Sequence, residues 1–225
     1  MGIQLQKFRI FSPLIIAAAL IICASCTQVT PELTQSDYSV IFDYEDDETP
    51  PKVRFSLFMC SDSDVRRYER IKVRALETGY VWDTNSIAIV ESDGMQWAGC
   101  TNIVAPENEM LPSGTYEITY YNADEKECSV KLEIKYDMDF YDVVFSALPE
   151  VMKEKHGIEK IAIYDKEHIL IYFGDRKEEF RTTRGIWNVY REAETYQIIW
   201  CTRDNSVLCI GPEEKVTPES DSDKE

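Results

Sequence analysis

Two histidines, seven cysteines and 41 acids set against 24 bases are the material for chemistry in this 225-residue chain. Nothing surrounds His156 or His168 that would activate them: no H-E-x-x-H, no G-x-S-x-G and no phosphate loop occurs. No catalytic residue is therefore expected, and a hydrolytic enzyme with a Cys–His pair assembled in space ranks third among the functional readings. No two of Cys60, Cys100, Cys128, Cys201 and Cys209 have zinc-ligand spacing, so no metal is expected there. Asp43, Glu45, Asp46, Asp47 and Glu48 supply hard oxygens of the kind calcium takes, but without the glycine and spacing of a calcium loop. They read as a solvated link between strands, and no cofactor is expected. Asp137, Asp139 and Asp142 invite the same thought, and one of them is expected to cap a following helix.

The basic concentration is Arg66, Arg67, Arg70, Lys72 and Arg74. Strand alternation places Arg70, Lys72 and Arg74 on one face, opposite Ile71 and Val73. Such a stripe meets either an anionic partner or carboxylates on neighbouring strands, and in this acidic chain the second is expected. Cys201 and Cys209 would face each other across a three-residue loop at 204–206, within disulfide reach. A two-residue loop at Asp204-Asn205 would instead oppose Trp200 to Cys209, and two buried thiols are the further alternative. Trp82, Trp97, Trp187 and Trp200 could stack on sugar rings, although a β core needs large aromatics in any case.

The ends of the chain carry the address. Residues 1–25 contain Lys7 and Arg9, no acid, and an 11-residue apolar run at 14–24 that is too short to span a bilayer. Ala24-Ser25-Cys26 closes the run, and the order of charge, apolar residues and small-residue-Cys resembles the signal of bacterial lipoproteins. Cys23 stands where such signals most often carry leucine. The resemblance implies cleavage before Cys26, lipid on that thiol and an extracytoplasmic, membrane-anchored location in the cell envelope. Cleavage would take the net charge from −17 to −19. That charge excludes bulk binding to nucleic acid, since a phosphate backbone selects for Lys and Arg.

With 44% apolar and 12% aromatic residues, the chain can bury enough surface to fold. Residues 26–37 read as a tether. Residues 38–137 alternate in short runs: Val53, Phe55, Leu57 and Met59 on one face, Ile71, Val73 and Ala75 on another, and Cys128, Val130, Leu132, Ile134 and Tyr136 on a third. Ser92-Asp93-Gly94 marks a hairpin. About seven strands predict an antiparallel β-sandwich. The stretch Leu111-Pro-Ser-Gly-Thr-Tyr-Glu-Ile-Thr-Tyr120 resembles the last hairpin of immunoglobulin-like or fibronectin-type-III-like modules, which implies an Ig-like sandwich that holds, spaces or binds.

Residues 138–210 predict a short helix ending near Gly157, with Pro149 in its first turn. An antiparallel β-meander should follow, with strands at 159–164, 168–173, 178–182, 186–191, 196–202 and 206–210. Residues 211–225, rich in acids and poor in apolar groups, predict a disordered tail. The chain as a whole therefore reads as mainly β and non-catalytic, a lipid-anchored envelope protein whose partner is another envelope protein. A small-ligand or glycan-binding lipoprotein is the alternative.

Overall fold

In the computed structural model the described residues are 33–61, 65, 68–106, 109–123 and 126–218. They form two sheets, with 53% of residues in strands and 15% in helices. The strands are β1 (Leu33–Asp43), β2 (Lys52–Ser61), β3 (Tyr68–Ala75), β4 (Val81–Thr84), β5 (Ala88–Ser92), β6 (Met95–Val104), β7 (Gly114–Asn122), β8 (Glu127–Ile134), β9 (Ile158–Asp165), β10 (Leu170–Asp175), β11 (Ala193–Cys201), β12 (Val207–Ile210) and β13 (Glu214–Lys215). One sheet runs β10-β9-β11-β12-β1-β2-β6-β5, with β13 added beside β11; the other runs β4-β3-β7-β8.

Alternation explains the smaller sheet. Ile71, Val73, Ala75, Tyr116, Ile118 and Tyr120 all point into the space between the sheets and are buried. Phe42, Phe55, Leu57 and Met59 of the larger sheet meet them. Phe55 packs edge-on against Tyr116 at 5.4 Å and against Tyr136 at 5.8 Å, so truncating Phe55 to Ala would cost about 3–5 kcal/mol. Tyr116 donates its phenol hydrogen to the Pro112 carbonyl at 2.5 Å, which ties the start of β7 to the chain four residues upstream. The hairpin at Asp93-Gly94 has positive φ at both residues (53° and 74°), the pair of values a type I′ turn requires.

The larger sheet does not stop at β1. Val40, Ile41, Phe42 and Asp43 pair in parallel with Val207, Leu208, Cys209 and Ile210, so the meander continues the first sheet, which curls and mixes strand directions. The expectation of purely antiparallel strands fails at this one seam. Phe42 and Cys209 share the inner face there, which accounts for the parallel join: it extends one buried surface from the first unit into the second.

Four local expectations are corrected. β1 begins at Leu33, pairing with β2, so residues 33–37 are strand rather than tether. The strand expected at 178–182 is a 3-10 turn, Glu178–Phe180, and the one at 186–191 belongs to the helix α2 (Thr183–Val189). Thr183, Ile186 and Tyr190 follow helical spacing, and the Thr182 hydroxyl caps the helix by accepting from Gly185 N at 3.1 Å. Gly185 is needed because a Cβ there would sit 1.9 Å from the Glu179 carbonyl oxygen. The tail expected to be disordered from Gly211 is held at 214–217. Glu214 and Lys215 pair with β11, Val216 N donates to Glu194 O at 2.9 Å, and Thr217 meets Thr183 at 3.1 Å. Residues 219–225, like the signal and Cys26, lie outside the described residues.

The helix α1 (Leu148–Glu154) stands where Pro149 placed it. Its end is a Schellman motif: Gly157 N donates to Met152 O at 2.7 Å and His156 N to Lys153 O at 3.3 Å. The left-handed residue is His156 (φ 55°), not Gly157. Gly157 has a different reason, since a Cβ there would lie 2.8 Å from the Met152 sulfur.

A second core forms where the meander folds over α2: Ile161, Ile163, Phe180, Ile186, Tyr196 and Ile198. Phe145 and Trp200 touch both cores. Gly211 lets β12 pass under Phe145, because a Cβ there would come within 2.3 Å of the ring.

Candidate functional site

The basic stripe lies on the outer face of the smaller sheet, and the register decides its surroundings. Arg70 stands across from Tyr121, Lys72 between Thr119 and Asp83, and Arg74 between Glu117 and Val81. Arg70 reaches Asp83 at 3.3 Å and lays its guanidinium 3.9 Å over the Tyr121 ring. Tyr121 in turn faces Glu127, and Thr119 shares a 2.9 Å hydrogen bond with Ser129. Partial burial and the nearby Glu127 carboxylate push the Tyr121 phenol above its usual pKa, against the pull of Arg70. Lys72, Arg74, Glu117, Thr119, Tyr121 and Ser129 enclose a polar depression of about 220 Å³. The three bases thus share a face, as alternation requires, with acids of three neighbouring strands interleaved among them.

The acidic link is likewise occupied internally. Asp43 holds Arg54 by two bonds, 2.6 and 3.2 Å, and Glu45 pairs with Lys52. Asp46 accepts from Glu48 N at 2.9 Å and Thr49 N at 2.7 Å, bonds that keep its carboxyl below the ordinary range. Asp137 is the helix cap among the second group of acids: it accepts from Asp139 N at 3.0 Å, at the head of a 3-10 turn, and pairs with Lys155. Among the described residues no three His, Cys, Asp or Glu side chains group as they would around a metal ion.

Cys201 and Cys209 are not joined. Trp200 faces Cys209 and Cys201 faces Leu208, the register of the shorter loop, which turns the two thiols to opposite faces of the sheet. Asn205 makes this turn possible with a φ of 57°. Burial pushes the Cys209 thiol up to about 12 and the Cys100 thiol to about 11, so neither is a nucleophile near neutrality. The Cys128 sulfur lies 3.2 Å from the Tyr68 phenol. His168, also in the left-handed region (φ 59°), stacks on Tyr164 at 4.6 Å with Nδ1 3.9 Å from Glu213.

The tryptophans divide by role. Trp82 donates to the Val104 carbonyl at 2.6 Å, and Trp200 bridges the two cores. Trp187 is covered by Arg191, whose guanidinium sits 3.5 Å over its ring. That pair forms one wall of an open pocket of about 450 Å³, bounded also by Asp165, Glu167, Glu194 and Val216. Sequence reasoning missed this pocket. Its walls come from β9, α2, β11 and the chain after β13, and no spacing in the sequence announces their meeting. No helix of the described residues is long and apolar enough to cross a membrane.

No protein-family model matches the chain, and a search of the curated proteins finds no relative.

Proposed function

We propose that the chain is a non-catalytic lipoprotein of the cell envelope, anchored through Cys26, whose body is an Ig-like sandwich that binds another envelope protein. The observation that carries this reading is strand order. β1-β2-β6-β5 against β4-β3-β7-β8 is the order A-B-E-D against C′-C-F-G of immunoglobulin-like modules. Tyr116, near the start of the strand in the F position and bonded to Pro112 O, corresponds to the tyrosine corner of such modules. The anchor rests on Lys7, Arg9, the apolar run and Ala24-Ser25-Cys26.

The test is intact mass and fractionation of the protein from its native envelope, followed by cross-linking. The expected result is acyl groups on Cys26, release of C26A from the membrane or its retention as precursor, and one discrete protein cross-linked to the wild type. A mature chain without acyl groups overturns the anchor. A second reading, small-ligand or glycan binding, is favoured by the polar depression between Lys72, Arg74, Thr119 and Ser129. Recovery of a glycan in place of a protein would promote it.

A further inference from the structure

We infer that one end of the body faces the lipid surface: the end formed by the start of β1, the Ser92–Met95 hairpin and the paired end of β7 and beginning of β8. The acidic loop 44–51 then points away from the membrane. This inference rests on the proposed lipid at Cys26 and deepens that reading by assigning the lipid-facing surface.

Chain length sets the first constraint. Leu33 opens β1, and only residues 27–32 separate it from Cys26, so Leu33 stands within about 25 Å of the lipidated residue even at full extension. The twelve-residue tether suggested by the sequence would have left the body free to hang in any direction. A six-residue one holds the start of β1 close to the bilayer.

Register identifies what accompanies Leu33. Leu33 pairs with Ser61 at the end of β2, Cys60 pairs with Trp97, and Ser92 pairs with Met95, so the Asp93-Gly94 hairpin lies at this end. Tyr68 pairs with Asn122 and Tyr121 with Glu127, which brings the end of β7 and the beginning of β8 to the same end.

The eleven residues of β1 lead away from that end over about 35 Å. At the far end Asp43 pairs with Lys52, and Glu45, Asp46, Asp47 and Glu48 follow on an exposed loop. Exposed carboxylates stand at both ends, Glu91, Asp93 and Glu127 at the near one and Glu45 to Glu48 at the far one, so the direction is set by tether length. The meander joins β1 only from Val40 onward, seven residues beyond Leu33.

The experiment uses the full-length, acylated protein in vesicles of mixed zwitterionic and anionic lipid carrying a headgroup-attached energy acceptor. A donor dye is placed on S92C or on E48C, both at exposed positions, in a C128S background because Cys128 is half-buried and the other body cysteines are buried. The expected result is strong energy transfer from position 92 and its near-complete loss at position 48. Equal transfer from the two positions, or stronger transfer from 48, in protein that floats with the vesicles overturns the orientation and leaves the anchor standing. Protein that carries no acyl group and does not float overturns both.

Discussion

Trp200 lies directly across the β11–β12 ladder from Cys209, and that single pairing separates Cys201 from Cys209. Directly opposed residues share a face, so Cys209 joins Trp200 against the main core while Cys201 turns to the other side. Peptide mapping of the native protein under non-reducing conditions should find no Cys201–Cys209 bridge. C201S should leave non-reducing electrophoretic mobility unchanged; a mobility shift abolished by either single serine variant would refute the register.

Alkaline stability should be set partly by buried thiols. Burial raises Cys100 from 9.0 to about 11 and Cys209 to about 12, so the folded state keeps protons that the unfolded chain releases. The associated stability is whole below pH 9 and is lost progressively as pH rises from 9 toward 12, at about 1.4 kcal/mol per pH unit for each thiol ionised only when unfolded. Urea midpoints should be flat from neutrality to the onset near 9 and fall beyond it. C100A and C209A should each flatten that fall, whatever they cost at neutral pH.

Reversal of the basic stripe separates an intramolecular role from a binding one. Arg70 has Asp83 at 3.3 Å and Arg74 has Glu117 across the ladder, so R70E/K72E/R74E places like charges side by side. The expected loss is about 1–2 kcal/mol in all, since each partly exposed pair contributes a few tenths to one. Adding D83K/E117K to the reversed protein should recover most of it. Unchanged stability with abolished partner binding would instead make the stripe a recognition surface.

Gly211 should be intolerant of a side chain. A Cβ would meet the Phe145 ring at 2.3 Å and the Ile198 carbonyl at 2.9 Å, so G211A should cost about 1–3 kcal/mol through overpacking. F145L should relieve part of the clash, giving a double variant more stable than the sum of the two single losses implies. Strict additivity in thermal denaturation would show that the contact is not what limits this position.

What could be read in the chain was local. β8 was legible because Val130, Leu132 and Ile134 alternate with Lys131 and Glu133, and the Asp93-Gly94 hairpin because few residue pairs accept two positive φ angles. Pro149 marked α1 for a similar reason, since it fits only the first turn of a helix. The face shared by Arg70, Lys72 and Arg74 followed from the two-residue period alone.

Tertiary structure decided what depends on distant partners. Phe42 and Cys209 are 167 positions apart, and no periodicity in either segment states that β1 and β12 pair in parallel. Residues 183–189 contain Ile186, Trp187 and Val189, types common in strands, and became a helix because Ile186 packs on Phe180 and Ile161 in the second core. Residues 204–206 allowed two loop lengths, of which the two-residue one, setting Trp200 against Cys209, is present. Alternation tells each strand which side is inward; only the buried surfaces, meeting around Phe145 and Trp200, determine which strand it lies beside.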